Sequence, residues 1–299
     1  MHRRGKTADE RKKPATIGSA IDEASARFLK AGVEDPRLNA ELLLASLLQI
    51  GRMDLRMHRT EQLQAWSEEQ FLSWVRRREA REPLQYITGW TEFMGLRFHV
   101  DRSVLIPRPE TELLVELAVA LLRGSPNPAP TVLDVGTGSG NIALSIARFV
   151  PHAEVTAIDV SSDALDVAEG NARDLGIPSV AFRHADIVTF EADSRFDMLA
   201  SNPPYVPLGE FTDLAPEISR FEPQVATTDG EDGLRYVRLL ARRAGELLKP
   251  EGALLIELGF GQAEEARRIA ENCGLSGVCI QEDLSGVPRV LSAVYPGNR

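Results

Sequence analysis

A glycine-rich segment followed by an acidic residue is the first feature with the chemistry to bind a ligand. The segment Asp134–Gly140 reads Asp-Val-Gly-Thr-Gly-Ser-Gly and lies between a short apolar stretch and a helical pattern. Glycines there let the backbone approach a ligand closely, and the start of a helix offers free backbone N–H groups. Asp159 follows at the end of the next apolar stretch, where a carboxylate can accept hydrogen bonds from both hydroxyls of a ribose. The pattern predicts a nucleotide-type ligand.

The spacing of the glycines fits two cofactors. Gly136-x-Gly138-x-Gly140 is the form found in S-adenosylmethionine (SAM) sites. Gly138-x-Gly140-x-x-Ala143 also fits the dinucleotide fingerprint with alanine at its third position. The spacing alone leaves the cofactor open.

A second segment, Asn202-Pro203-Pro204-Tyr205, decides between them, and we call it the amide clamp. The prolines restrict the backbone, so that the Pro203 carbonyl has little freedom to turn away. Together with the amide oxygen of Asn202 it can accept two hydrogen bonds from one planar –NH2 group, and Tyr205 offers a ring face for stacking. We expect the clamp to hold an amide or an exocyclic amine, for which a dehydrogenase has no use.

The elements around both segments alternate between strands and helices, which predicts a parallel sheet with helices on both faces. Both segments then lie at the carboxyl ends of strands, where such sheets bind ligands. The predicted strands are 131–135, 154–158, 180–184, 196–200 and 253–258, and the predicted helices are 141–149, 162–175, 234–248 and 262–272. Two last strands, near 277–282 and 289–295, predict an antiparallel hairpin at one edge.

The first part of the chain carries helical patterns only. Ile17, Ile21, Ala24 and Phe28 form one helix face. A second helix follows Asp35-Pro36, with the run Leu38–Leu48 and Gly51 as its stop. A third helix starts with a capping box at 67–70 and ends by Pro83. The spacing of the apolar residues then changes, and residues 85–100 are predicted to form short strands in a hairpin.

Composition and charge exclude several classes of protein. A net charge of −10 argues against binding to duplex nucleic acid, which needs many Lys and Arg contacts to phosphate. Two cysteines indicate a reducing compartment, and the scattered histidines lack the spacing of metal ligands. No apolar run reaches the length of a membrane span, and the first residues lack the apolar core of a signal peptide. We therefore expect a cytoplasmic protein without a metal.

These residues resemble a known family. The glycine segment and the clamp are similar to those of class I SAM-dependent methyltransferases. The segment Ile106–Glu112, with the sequence Ile-Pro-Arg-Pro-Glu-Thr-Glu, resembles the protein-(glutamine-N5) methyltransferases of the PrmC/HemK family. Asn-Pro-Pro-Tyr occurs also in adenine-N6 DNA and RNA methyltransferases, so Ile106–Glu112 is the discriminating segment.

The resemblance implies a fold and an activity. The fold is α/β and Rossmann-like, with a mostly parallel seven-stranded sheet, an antiparallel edge hairpin and a small N-terminal helical bundle. We expect a disordered basic arm at 1–14, a helical substrate-recognition domain at 15–84, a hairpin connector at 85–107 and a methyltransferase domain at 108–299. The implied reaction methylates the glutamine of the Gly-Gly-Gln loop of class 1 peptide-chain release factors and converts SAM into S-adenosylhomocysteine.

The resemblance also assigns roles to residues. Asp159 would bind the ribose hydroxyls, Asp186 would lie near the adenine, and Ile187 would flank the ring where some members carry an aromatic residue. Asn202 would serve both cofactor and substrate. The methionine and ribose end of SAM would contact Gly136, Thr137, Gly138, Ser139 and Gly140. Catalysis is assigned to Asn202, Pro203 and Tyr205, and substrate binding to these residues and Pro204.

Two other functions stay open. An adenine-N6 methyltransferase would keep the clamp but needs a basic channel, which a chain of net charge −10 hardly offers. A non-catalytic module that holds a translation factor would not need the intact glycine segment, Asp159 and clamp. The acidic run 210–222 after the clamp is either a lid or substrate wall, or a solvated insertion.

Overall fold

The computed structural model describes residues 15–297, and the expected basic arm lies outside the described residues. The chain separates into two compact units, with the division after Thr88. This division differs from the expected one, because residues 85–88 belong to the first unit and the hairpin belongs to the second.

The first unit is helical throughout. Its elements are α1 (Ile17–Lys30), α2 (Pro36–Leu48), α3 (Arg52–Met57), α4 (Ala65–Glu79) and α5 (Leu84–Thr88). The predicted face of α1 is buried, and it packs with residues of α2 and α4, among them Leu43, Leu44 and Phe71, in one apolar cluster.

Helix ends in the first unit differ from the predicted ones. α2 stops at Gln49, which adopts a left-handed conformation, and not at Gly51. Gly51 instead caps the start of α3, where the Asp54 carboxylate accepts its N–H at 3.0 Å. α4 begins at Ala65, so Ser67 is buried within the helix and does not cap it. The start of α3 is therefore set by a local capping contact that was not predicted.

The second unit opens with a hairpin of β1 (Trp90–Phe93) and β2 (Leu96–His99), followed by α6 (Thr111–Arg123). The alternating part then consists of β3 (Thr131–Val135), α7 (Asn141–Phe149), β4 (Glu154–Asp159), α8 (Ser162–Asp174), β5 (Val180–His184), β6 (Phe196–Ser201), α9 (Pro216–Phe221), α10 (Arg235–Leu247), β7 (Leu248–Glu257), α11 (Ala263–Asn272), β8 (Ser276–Glu282) and β9 (Pro288–Tyr295).

Seven strands form the main sheet in the order β5-β4-β3-β6-β7-β9-β8. The pairs from β5 to β7 are parallel, whereas β9 is antiparallel to both β7 and β8. This is the predicted mostly parallel sheet with an antiparallel edge hairpin. The strand order reverses between β3 and β6, and ligands bind outside the carboxyl ends of strands at such a switch point.

The start of β7 differs from the prediction. The strand predicted at 253–258 begins already at Leu248, so that Lys249-Pro250 lies within β7. The pairing of β6 with β7 shifts register there, from Phe196–Leu248 to Met198–Ala253, and this irregularity accommodates the proline. No helix within residues 15–297 is long and apolar enough to cross a membrane.

Candidate active site

A cleft of about 1000 Å³ lies at the carboxyl ends of the central strands, within the second unit. Its wall contains every residue of the predicted site except Gly140 and Tyr205. The predicted residues that line it are Gly136, Thr137, Gly138, Ser139, Asp159, Asp186, Ile187, Asn202, Pro203 and Pro204. Four separate segments of the sequence therefore meet in one cavity.

Gly140 does not line the cavity and packs closely against its neighbours. It has a φ of +81° at the start of α7, and a Cβ there would lie 3.0 Å from Leu144 Cδ1 and 3.2 Å from Ala168 Cβ. A side chain at this position would push α8 away from the loop. The last glycine of the segment thus brings two helices close together behind the ligand site.

Asp134 anchors the glycine segment through two hydrogen bonds. Its side chain is fully buried, and Oδ2 accepts hydrogen bonds from Thr137 Oγ1 at 2.6 Å and from the Ala143 N–H at 3.2 Å. Burial raises the pKa of the Asp134 carboxyl to about 7. The two bonds tie the loop to the first turn of α7.

Asp159, at the end of β4, is hydrogen-bonded to the glycine segment. Its Oδ2 accepts the Gly138 N–H and its Oδ1 accepts the Ser161 N–H, both at 2.9 Å. Burial raises the pKa of this carboxyl as well, against the lowering effect of these backbone hydrogen bonds. Because a carboxylate oxygen can accept two hydrogen bonds, each oxygen has capacity left for a ligand hydroxyl.

Tyr236, in the first turn of α10, lines the same cleft and was not found from the sequence. Its ring packs against the apolar cluster that contains Ile187, which is only 4% exposed. Burial raises the pKa of the Tyr236 hydroxyl, with the Asp186 and Asp159 carboxylates adding to the rise against the opposing effect of Arg235. An aromatic ring is therefore present in the same cleft as Ile187.

Asn202 presents an acceptor that nothing in the described chain satisfies. Its Nδ2 donates to Thr111 Oγ1 at 3.0 Å, whereas its Oδ1 is buried without a hydrogen-bond partner among residues 15–297. Buried polar atoms of this kind are rare and costly unless a ligand pairs with them. The position of Oδ1 fits a ligand that donates an N–H.

Tyr205 is not among the residues that line the cleft, and its expected role in stacking on a substrate amide stays a prediction. Burial raises the pKa of its hydroxyl to about 12, with the Glu257 carboxylate adding to the rise. Its backbone is fixed by Gln262, whose Nε2 donates to the carbonyls of Tyr205 at 2.9 Å and Gly233 at 3.2 Å.

Gly233 packs directly against the clamp backbone. It has a φ of +85°, and a Cβ there would lie 2.4 Å from the Tyr205 carbonyl oxygen and 2.6 Å from Gln262 Nε2. Only glycine satisfies both the conformation and the space.

An ion pair attaches the acidic run to the cleft. Arg108 Nη2 donates to both carboxylate oxygens of Glu222, at 2.7 and 2.8 Å, and the Glu222 side chain is only 1% exposed. The residues that follow, Pro223, Val225 and Ala226, line the cleft. This arrangement favours the wall interpretation of the run over a solvated insertion. Nowhere in residues 15–297 do three or more His, Cys, Asp or Glu side chains form a group that could hold a metal ion.

Comparisons with known proteins define the class first. Residues 126–285 match the family model described as a methyltransferase domain, and residues 19–89 match the PrmC N-terminal domain. A methyltransferase from Pyrococcus furiosus shares the fold, with a TM-score of 0.51 at 19% identity over 69% of this chain and 91% of that chain. The second unit is thus a methyltransferase domain, as predicted.

Full-length relatives define the family. The release factor glutamine methyltransferase of Geobacter sulfurreducens is 40% identical over 92% of this chain and 95% of its own length. That of Bordetella pertussis is 43% identical over 85% of this chain and 93% of its own length. The chain belongs to the release factor glutamine methyltransferase family, which confirms the predicted resemblance.

Proposed function

We propose that this enzyme transfers a methyl group from SAM to the side-chain amide nitrogen (N5) of the glutamine in the Gly-Gly-Gln loop of class 1 release factors. The observation that carries the proposal is the buried, unpaired Oδ1 of Asn202 beside Pro203 in the cleft wall. The names of the relatives support the same reaction. Because release factors act in translation, we place the enzyme in the cytoplasm.

The cleft has the residues that SAM would need. The loop Gly136–Ser139 would hold the methionine end, Asp159 the ribose hydroxyls, and Asp186, Ile187 and Tyr236 the adenine. A Cβ at Gly136 or Gly138 would meet nothing within 4 Å, so space is open along the loop. When bound, SAM supplies a methyl group that its sulfonium already activates.

The clamp would then position the nucleophile. A primary amide nitrogen is a poor nucleophile, because its lone pair is delocalised into the carbonyl. Asn202 Oδ1 and the Pro203 carbonyl would accept both N–H bonds of the substrate amide, hold its nitrogen in line with the methyl group and raise its electron density. Such positioning contributes up to roughly 7–11 kcal/mol. The nitrogen becomes acidic as the N–C bond forms, and it then releases one proton.

Transfer of labelled methyl tests the function. We expect label from SAM to enter an intact class 1 release factor, and the matched control is the same factor with the loop glutamine replaced by alanine. Label in DNA or RNA instead would indicate an adenine-N6 methyltransferase. SAM binding without transfer to either would indicate a non-catalytic module.

Asp159→Ala is expected to weaken SAM binding and to leave turnover at saturating SAM nearly unchanged. Loss of hydrogen bonds to a charged group costs about 1.5–3 kcal/mol, which is roughly a tenfold to 150-fold change in Kd. Calorimetric titration measures the affinity, with Asp163→Ala on the exposed side of α8 as control. Tight binding of NADH but not of SAM would show that the glycine segment is a dinucleotide site.

Tyr236→Ala is expected to weaken SAM binding by about two- to tenfold, because an aromatic contact contributes about 0.5–1.5 kcal/mol beyond its buried area. Tyr236→Phe keeps the ring and should bind SAM as the wild type does. Equal affinities of the alanine variant and the wild type would remove Tyr236 from the adenine site.

A further inference from the structure

The turn between β7 and α11 carries an exposed aromatic ring. Phe260 lies in this turn between Gly259 and Gly261 and is 84% exposed, whereas every other phenylalanine within residues 15–297 is buried or half-buried. Single exposed apolar side chains are common on protein surfaces, so exposure alone assigns no role to Phe260. Its turn, however, is well fixed and lies beside the clamp.

Hydrogen bonds on both sides of Phe260 fix the backbone of the turn. The Leu258 N–H donates to the Arg289 carbonyl in β9 at 2.7 Å, and the Gly259 N–H donates to Gln262 Oε1 at 2.8 Å. Gly261 has a φ of +80°, a conformation that favours glycine. The ring is therefore presented to solvent from an ordered backbone, and its two neighbours in the chain have no side chain to cover it.

The same turn packs against the last residue of the clamp. A Cβ at Gly259 would lie 3.0 Å from Tyr205 Cδ2, so the backbone immediately before Phe260 contacts the Tyr205 ring. The Cα of Phe260 is one peptide unit further, about 3.8 Å from that of Gly259. Gln262, at the end of the turn, donates to the Tyr205 carbonyl. Phe260 does not line the cleft, so it adjoins the clamp outside the cofactor cavity.

A flat apolar ring beside the clamp fits one part of the substrate. When the clamp holds the glutamine amide, the residues that flank this glutamine in the release factor pass over the surface around the clamp. In a Gly-Gly-Gln loop the two preceding residues have no side chains, so their peptide planes are open to contact. An aromatic ring can pack flat on such a main chain, and the contact removes apolar surface from water.

We propose that Phe260 is a substrate-binding residue that packs against the two glycines of the Gly-Gly-Gln loop while the glutamine amide lies in the clamp. The inference rests on the proposed function, since the clamp must hold the glutamine for the glycines to reach the ring. It also gives the enzyme a means of selecting its substrate, because a Cβ on either glycine would keep the ring away from the main chain.

The first test compares Phe260→Ala and Phe260→Tyr with the wild type. In Phe260→Ala we expect kcat/KM to fall about fivefold or more, both on intact release factor and on a short Gly-Gly-Gln peptide, because both substrates contain the two glycines. Phe260→Tyr keeps the ring and should stay within about twofold of the wild type. The Kd of SAM should be unchanged in both variants, since Phe260 does not line the cleft.

The matched control is Leu121→Ala, which removes another exposed apolar side chain, about 15 Å along α6 from Thr111 in the cleft wall. It should have the activity of the wild type. A peptide with the sequence Ala-Ala-Gln then tests the contact itself. On this peptide the wild type and Phe260→Ala should differ by less than about twofold, because residues in contact are not additive. An undiminished difference on this peptide would show that the ring does not pack on the glycines.

Failure of this inference is distinct from failure of the proposed function. A wild type that transfers no methyl to release factor would refute the function. A wild type that does transfer, together with an unchanged kcat/KM in Phe260→Ala, would overturn the role of Phe260 alone, and so would a loss confined to intact release factor. Light scattering covers the remaining occupant: a wild-type dimer that Phe260→Ala converts into monomers would show that a second copy of the chain covers the ring.

Discussion

Replacing Asn202 by alanine is expected to lower methyl transfer to release factor by about fivefold to 150-fold while the protein remains folded. The variant loses the Oδ1 acceptor and leaves one substrate N–H unpaired in a buried site. An unsatisfied buried group costs about 1–3 kcal/mol, which corresponds to roughly fivefold to 150-fold in rate. The loss should fall mainly on kcat, since the second acceptor and the rest of the release factor still bind.

The measurement is single-turnover transfer of labelled methyl, with thermal unfolding as a check of the fold. Asn272→Ala at the exposed end of α11 is the matched control and should behave like the wild type. Near-normal turnover in the Asn202 variant would show that the clamp does not hold the reacting amide.

Removal of the helical unit should have the second largest effect. A chain that begins at Gly89 is expected to bind SAM with nearly unchanged affinity, because every residue of the cleft wall lies within the second unit. The same chain should lose most of its activity on intact release factor. A single glutamine is too small to specify one protein, so we propose that residues 15–88 supply a second contact with the substrate, whose binding energy also helps to hold the glutamine in line.

The structure fixes where the cut should be made. Residues of α5 belong to the helical unit, and Ile87 is buried in its apolar cluster, so a cut at Gln85 would expose that helix. The activity of the shortened chain on a short Gly-Gly-Gln peptide, which is already low, should change much less than its activity on intact release factor. Equal losses on both substrates would mean that the helical unit supports the fold of the enzyme and does not select the substrate.

The strands and helices that carry the site could be predicted closely from the sequence. The bounds of β3, α7 and β5 agree with the prediction to the residue. The residue that stops α2 and the start of β7 were wrong, since a left-handed Gln49 and a register shift in the sheet decide them. Neither feature leaves a local pattern.

The site residues also divide into those that could be predicted from the sequence and those that could not. Residues within two short segments, the glycine loop and the clamp, follow from their spacing. Tyr236 and Thr111 do not, because each reaches the cleft or the clamp from a distant part of the chain; Thr111 lies 91 residues before Asn202. Tyr205 is the opposite case, since it is part of the pattern, yet its ring lies outside the cleft wall.

Gly233 has a consequence for attempts to redesign the enzyme. Its α-hydrogens face the carbonyl oxygen of Tyr205, and even the single methyl group of alanine would collide with that backbone atom at 2.4 Å. A randomised library at position 233, selected for transfer activity, would therefore return glycine alone. Such a library can vary the side chains around the substrate position. The path of the clamp backbone, however, depends on Gly233, which does not line the cleft.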